Sequence, residues 1–301
     1  MNAVSLEKVT KRYDSFDAVS SLTMEIKEGA VFGLLGPNGA GKTTTLRMIV
    51  RILIPDQGSV QVLGEPLSER TQEQIGYLPE ERGLYRQMRL LEILRFLGAL
   101  KGLSEAESER RARVWLDRLG LGDRLNVEVH SLSRGMQQKV QFIAAIIHRP
   151  RLVILDEPFT GLDPVNAAVI KDVMLELRNQ GATIILSTHR MDQVEQMCDS
   201  ICLMNKGQKL LDGDLKAIKK SYGYNTVRME FVGDQSFLQL PSVVERINSY
   251  GEMVDITLCP GADAQRILKS AVERGVQVRR FELIEPPLND IFIEKVSERN
   301  A

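Results

Sequence analysis

Residues Gly36 to Thr44 read G-P-N-G-A-G-K-T-T. No other stretch restricts the fold as strongly, because it satisfies G-x-x-x-x-G-K-[ST], the pattern of a phosphate-binding loop. Gly36, Gly39 and Gly41 carry no Cβ, so the backbone through Pro37, Asn38 and Ala40 can curl and aim successive N–H groups inward. With the positive end of the helix that follows, those groups suit di- and triphosphate oxygens. Lys42 is then spaced to reach the β- and γ-phosphates, and the Thr43 hydroxyl to ligate Mg²⁺, with Thr44 closing the loop. The flanks agree. Ala30 to Leu35 is a short apolar run suited to a buried parallel strand, and Thr44 to Ile54 has Leu46, Ile49, Val50 and Leu53 at helical spacing.

The chain has 301 residues, enough for a large domain and a small one. Its formal net charge of −1 gives no basic field for nucleic acid. The three cysteines, Cys198, Cys202 and Cys259, do not make a disulfide framework, and small buried residues are expected. No basic-then-apolar leader opens the chain, and apolar runs such as Phe142 to Ile147 fall short of the ~20 residues of a spanning helix. A membrane role would come through a partner chain.

Ala3 to Tyr13 and Val19 to Ile26 read as strands, with Tyr13 in the loop between them. Ser59 to Leu63 and Ile75 to Leu78 are further short strands. The segment Leu90 to Leu119 is helical, and Ser104 with Glu107 forms a capping box within it. A helix follows Ser131–Gln137. Leu152 to Glu157 (L-V-I-L-D-E) is a buried strand ending in two carboxylates. Asp163-Pro164 starts the next helix, as N-cap and first helical residue. Thr183 to Leu186 is another buried strand, followed by His189. Strands alternating with helices imply a doubly wound, mostly parallel sheet with ligands at the carboxyl ends of its strands. The composition changes after Lys220. There Thr226–Val232, Met253–Leu258 and Val276–Leu283 read as strands, and Ser242–Ser249, Ala262–Gly275 and Leu288–Val296 as helices. The expected division is residues 1–218, with a helical subdomain near 85–135, and a small α+β domain at 222–301.

An Asp ending an apolar strand after a phosphate loop supplies a second magnesium-side group. That makes Asp156 a metal-side candidate. Glu157, one position on, is placed to polarise an attacking water. Elsewhere such a pair would simply be a solvated strand end. His189, just past a strand end, could contact a γ-phosphate with a neutral or protonated ring, although a lone His after a strand is more often structural. An aromatic such as Tyr13 can stack on adenine. His130 and His148 read as surface or packing residues.

These residues occur in one order, and the order resembles the ATP-binding subunit of an ABC transporter over about residues 3 to 215. The motifs are Tyr13, the loop Gly36 to Thr44, Tyr77 to Glu80, the signature Leu132-Ser133-Arg134-Gly135-Met136, Leu152 to Glu157, Asp163 and His189. The ending L-N-D-I-F-I-E-K-V resembles the appendage of export-type bacterial members, such as sodium-extrusion and drug-resistance ATPases. The resemblance implies a P-loop ABC ATPase fold, with a mostly parallel sheet, an antiparallel edge sheet and a helical subdomain. It implies ATP and Mg²⁺ as ligands and two domains meeting head to tail, as a homodimer or with a second ATP-binding subunit. Ser133 and the Gly135 backbone would grip the partner's γ-phosphate. Thr43, Asp156 and Glu80 would serve the metal, Glu157 would be the general base, Lys42 and His189 would hold the γ-phosphate, and Asp163 would cross the interface. A permease on a separate chain would receive the motion in a groove beside Glu80 to Leu90. That would place the protein peripherally on the cytoplasmic face of the membrane.

Two departures stand out. The family usually has Gln where this chain has Glu80, which adds negative charge beside a γ-phosphate. The signature is L-S-R-G-M, not L-S-G-G-Q, and Arg134 would offset Glu80 across a dimer. The competing class is a soluble ABC-type ATPase acting on ribosomes or DNA. A single cassette, with no sustained heptads and no zinc cluster, argues against that class and against nucleic acid as a partner.

Overall fold

The computed structural model describes residues 1–14, 16–81, 83–222, 226–251 and 253–300. The chain divides into two compact units, Met1–Gly213 and Asp214–Ala301. Of the segments anticipated from sequence, Arg82 in the groove, residues 223–225 and Ala301 lie outside the described residues.

In chain order the first unit runs β1 (Asn2–Tyr13), β2 (Phe16–Lys27), β3 (Val31–Leu35), α1 (Lys42–Ile49), β4 (Gln57–Val62), β5 (Glu65–Pro66), α2 (Glu69–Glu73) and β6 (Ile75–Leu78). Then come α3 (Leu90–Leu100), α4 (Glu105–Arg118), α5 (Arg134–Ile146), β7 (Leu152–Asp156), α6 (Pro164–Asn179), β8 (Thr183–Thr188), α7 (Met191–Met197) and β9 (Ser200–Asn205), with β10 (Gln208–Asp214) at the boundary. One sheet has the order β10-β9-β3-β8-β7-β6. Within it β3 runs parallel to β8 and β9, and β7 parallel to β6 and β8. Strands β3, β7 and β8 are buried along their whole length. A parallel sheet covered on both faces needs such strands, which is why they read as continuous apolar runs. A second sheet, β2-β1-β4-β5, is antiparallel, and its inward residues Leu6, Leu22 and Met24 share one core with Phe32, Leu46 and Ile154. This is the mixed α/β architecture that the motif order implies.

Local differences from the sequence reading have physical causes. Tyr13 is the last residue of β1, paired with Phe16 across the hairpin, and is not a loop residue. Helix α1 stops at Ile49 and not Ile54, because after the C-cap Val50 the backbone of Arg51 turns left-handed at φ 60°. The N–H groups of Ile52 and Leu53 both turn back to the Arg47 carbonyl. Ser104 caps α4 by accepting the Glu107 N–H at 3.3 Å, but the Glu107 carboxylate turns to Arg110 and Arg111, so only half of a capping box forms. Cys198 and Cys202 are buried free thiols, and burial pushes both up to about 12.

The second unit comprises α8 (Leu215–Ser221), β11 (Thr226–Val232), β12 (Val244–Tyr250), β13 (Met253–Leu258), α9 (Gln265–Glu273), β14 (Gln277–Ile284) and α10 (Leu288–Asn300). Its sheet, β12-β13-β11-β14, is antiparallel throughout. The helix expected at Ser242–Ser249 is the strand β12. Val243 and Ile247 stand four apart and mimic a helical face. In the fold, half-buried Val244, Arg246 and Asn248 alternate with exposed Glu245, Ile247 and Ser249 along β13. Val227, Met229, Phe237, Ile256 and Ile267 form a separate core.

Candidate active site

The phosphate loop joins the end of β3 to the start of α1. Gly36 has φ 150° and Gly41 φ 97°, values that L side chains rarely adopt. A Cβ on Gly36 would stand 2.2 Å from the Met204 carbonyl oxygen, and one on Gly41 2.4 Å from that of Ala18. The glycines thus serve both curl and close packing. Lys42, the first residue of α1, folds its ammonium back to donate to the Gly36 and Pro37 carbonyls at 2.7 and 3.1 Å. Burial lowers its pKa, while Glu157, Asp156 and Glu80 oppose that shift.

Three elements converge on this loop. At the end of β7, Asp156 is fully buried, and its Oδ2 accepts the Thr43 hydroxyl at 2.8 Å. Burial raises the Asp156 pKa, opposed by the Thr43 and Ser187 hydroxyls. Its other oxygen, Oδ1, is buried without a hydrogen-bond partner. A carboxylate oxygen with a vacant lone pair beside a threonine hydroxyl is the hard oxygen donor set that Mg²⁺ accepts together with phosphate oxygens. The residues present therefore fit that ion. Among the described residues no group of three or more His, Cys, Asp or Glu would hold a metal unaided.

Glu157 follows the strand with φ 48°, a left-handed backbone for a side chain with Cβ. Such a position costs about 1 to 3 kcal/mol and persists only where its surroundings hold it. Here its N–H donates to the Ser187 carbonyl at 2.9 Å. Its carboxylate accepts the Thr188 hydroxyl at 3.2 Å and the His189 N–H at 3.1 Å, and lies 2.7 Å from His189 Nδ1. Thus β7 and β8, adjacent and parallel, bring Glu157 and His189 together across 32 residues of sequence.

A cleft of about 410 Å³ is lined by Tyr13, Phe16, Ala18, the loop from Asn38 to Thr44, Glu80, Asp156 and Glu157. Glu80, at the end of β6, is exposed there. Phe16 and Ala18 were not anticipated. The signal for Phe16 was its place opposite Tyr13 in a hairpin, which only the strand register reveals. Ser133, Arg134 and Gly135 do not line the cleft. The Ser133 hydroxyl instead caps α5, accepting the Met136 N–H at 3.3 Å. Asp163 likewise caps α6 through the Asn166 N–H at 2.9 Å.

The family described as ABC transporter matches residues 19–160, and the one described as ATP-binding protein DrrA1-3-like, C-terminal domain, matches residues 213–296. The chain is 42% identical to YhaQ, an ABC transporter ATP-binding protein of Bacillus subtilis, across 97% of its own length and 98% of the relative's. The chain belongs to the ABC transporter ATP-binding proteins. This cassette is also 34% identical to the Nod factor export ATP-binding protein I of Sinorhizobium fredii, covering 97% of the cassette and 85% of the relative. A solved ATP binding subunit of an ABC transporter superposes with a TM-score of 0.69 at 34% identity, over 73% of the cassette and 93% of that chain. A dimeric cassette in a post-hydrolysis state, bound to ADP and Pi, superposes with a TM-score of 0.66 at 25% identity, over 70% and 98%. The cassette is accordingly an ATPase of the transport class.

Proposed function

We propose that the cassette binds Mg-ATP between two copies of itself and drives a separate membrane permease, in the direction of export. The observation that carries this reading is a division within one chain. The phosphate loop from Asn38, the Thr43–Asp156 pair and Glu157, which His189 holds, line one cleft, whereas Ser133 and Gly135 lie outside it. A γ-phosphate held in that cleft would be closed over by the Ser133–Gly135 helix start of a second copy. Tyr13 would stack on the base. Thr43 and Asp156 would hold Mg²⁺, with Glu80 at the rim, and the ion would offset phosphate charge. Lys42 would move from the Gly36 and Pro37 carbonyls to the phosphates. Glu157 would take the proton of the lytic water, and His189 would orient Glu157 and face the γ-phosphate. Asp163 would cross between copies.

Export is supported by the likeness to the Nod factor export protein and by the DrrA-like second unit. Among the described residues no helix is long and apolar enough to cross a membrane, so transport calls for a partner chain, and the cassette would then sit on the cytoplasmic face. A groove lined by Met88, Leu91, Phe96 and Arg95 beside α3 offers that partner a surface, with Tyr85 and Phe96 edge to face at 5.7 Å.

The test is Mg²⁺-dependent ATPase activity against protein concentration, beside Glu157→Gln. Activity should rise faster than linearly, and the variant should lose at least about a hundredfold in rate while forming an ATP-stabilised dimer on size exclusion. Activity linear in concentration and untouched by the substitution would overturn the composite site.

A further inference from the structure

We propose that Gln138 is a positioning residue for Glu157, acting from helix α5 through the peptide that follows the carboxylate. This rests on the reading of Glu157 as general base. Gln138 is 4% exposed, and its Nε2 donates to the Pro158 carbonyl at 3.1 Å, a buried bond. Pro158 is the residue after Glu157. The Thr160 N–H returns to the Glu157 carbonyl at 3.1 Å, so Glu157 to Thr160 form a turn with proline at its second position.

Glu157 is thus fixed from two sides. Thr188 and His189 on the β8 side hold its carboxylate, and the Ser187 carbonyl holds its N–H. Gln138 holds the peptide on its carboxyl side. A backbone at φ 48° stays strained only while its neighbours keep it there. A buried carbonyl that loses its donor is driven to turn toward another. Here that turn would open the Glu157–Thr160 bond and release the strained φ, and with it the aim of the carboxylate.

Helix α5 gives this contact a firm footing. Gly76 on β6 lies so close to it that a Cβ there would stand 2.0 Å from the Ala145 carbonyl oxygen. One turn beyond Gln138, Gln141 is 5% exposed and donates to the Glu81 carbonyl at 3.3 Å. Glu81 follows Glu80 as Pro158 follows Glu157, so two amides one turn apart hold the peptides after two carboxylates of the cleft. At the start of α5, a Cβ on Gly135 would stand 3.3 Å from the Gly161 carbonyl oxygen, further along the loop that Glu157 opens. These contacts keep α5 seated when one amide is changed.

Gln138→Met keeps the length of the side chain and removes the donor; Gln138→Leu, a second variant, should behave alike. Single-turnover ATP hydrolysis and equilibrium ATP binding on the full chain, in the native and the Glu157→Gln backgrounds, test the assignment. Gln138→Met should slow hydrolysis by about tenfold or more while ATP affinity moves by no more than about twofold. Added to Glu157→Gln, it should slow the residual rate by less than about twofold, because the group it positions is already gone. Amide hydrogen exchange without nucleotide reads the turn itself. The Thr160 N–H should exchange at least about fivefold faster in both variants, with the β3 and β8 amides as protected as in the native protein. An affinity loss equal to the rate loss, an equal slowing in both backgrounds, native rates in both variants, or unchanged Thr160 exchange would each overturn the proposal. A native rate in Glu157→Gln would sink the reading of the base as well.

Discussion

The Glu157 carboxylate lies 2.7 Å from Nδ1 of His189, and the His189 backbone N–H donates to the same oxygen at 3.1 Å. One residue at the end of β8 thus holds the carboxylate at the end of β7 with both its ring and its backbone. The Thr188 hydroxyl holds the other oxygen. The side chain of Glu157 is clamped although its backbone is strained, an arrangement that would keep the proposed general base aimed before substrate arrives.

His189→Ala removes the ring and leaves the Thr188 and backbone bonds. Single-turnover ATP hydrolysis should fall by about ten- to a hundredfold, less than for Glu157→Gln, while ATP affinity shifts by no more than about threefold. Rapid-quench measurements beside equilibrium binding separate the two. An affinity loss that accounts for the whole rate loss would show that the ring serves binding and not the carboxylate.

His148 should govern an acid limb of stability. Its Nε2 is 3.2 Å from the Ile75 carbonyl, its Nδ1 is buried without a partner, and burial with nearby Lys101 lowers its pKa to about 4. The folded state therefore prefers the neutral ring, and the unfolded chain, near 6.5, binds the extra proton. Stability is fully present above about pH 6.5 and falls as pH drops toward 4, by about 3 kcal/mol at most. Urea unfolding followed by Trp115 fluorescence at pH 7 and 4.5 reads the loss. The His148→Gln protein should lack most of it, and an equal loss in both proteins would refute the assignment.

Arg228 and Asp255 pair in register on β11 and β13, through bonds of 2.8 and 2.7 Å. Asp255 is buried, so Arg228→Ala leaves a carboxylate without its counter-charge, at a cost of about 3 kcal/mol to the second unit. Replacing both, as Arg228→Met with Asp255→Leu, should recover most of it. Calorimetry on the three proteins decides. Equal destabilisation by the single and double changes would mean that the pair itself, and not the orphaned charge, is what matters.

Gly36→Ala would set a methyl 2.2 Å from the Met204 carbonyl oxygen at φ 150°. The loop has to shift, and ATP affinity should fall at least about tenfold, as expected for 1 to 3 kcal/mol of backbone strain placed at the ligand. Titration with ATP reads this directly. Unchanged affinity would show that the loop tolerates the move.

The phosphate loop, the buried strands β3, β7 and β8, and the cap Asp163 were legible in the residues, whereas the helix expected after Gln137 starts at Arg134 with Ser133 as its cap. Each legible feature is a local statement: a glycine spacing, an apolar run, a carboxylate three residues before the N–H it accepts. Short-range geometry follows from short-range sequence, and the family's motif order then implied the sheet. The same local reasoning failed at Ser242–Ser249. There the spacing of Val243 and Ile247 suits either period, and the partner strand β13 decided for a strand.

What only the tertiary structure decided concerns residues far apart in the chain. Thr43 meets Asp156 across 113 residues, Glu157 meets His189 across 32, and Phe16 joins Tyr13 in the cleft because the β1–β2 pairing sets the two opposite each other. Sequence marks which side chains have the right chemistry. Only the packing of the strands against a shared core sets which carboxylate oxygen is satisfied, which is left open, and which rings line the cleft, because those contacts depend on distances that no local pattern encodes.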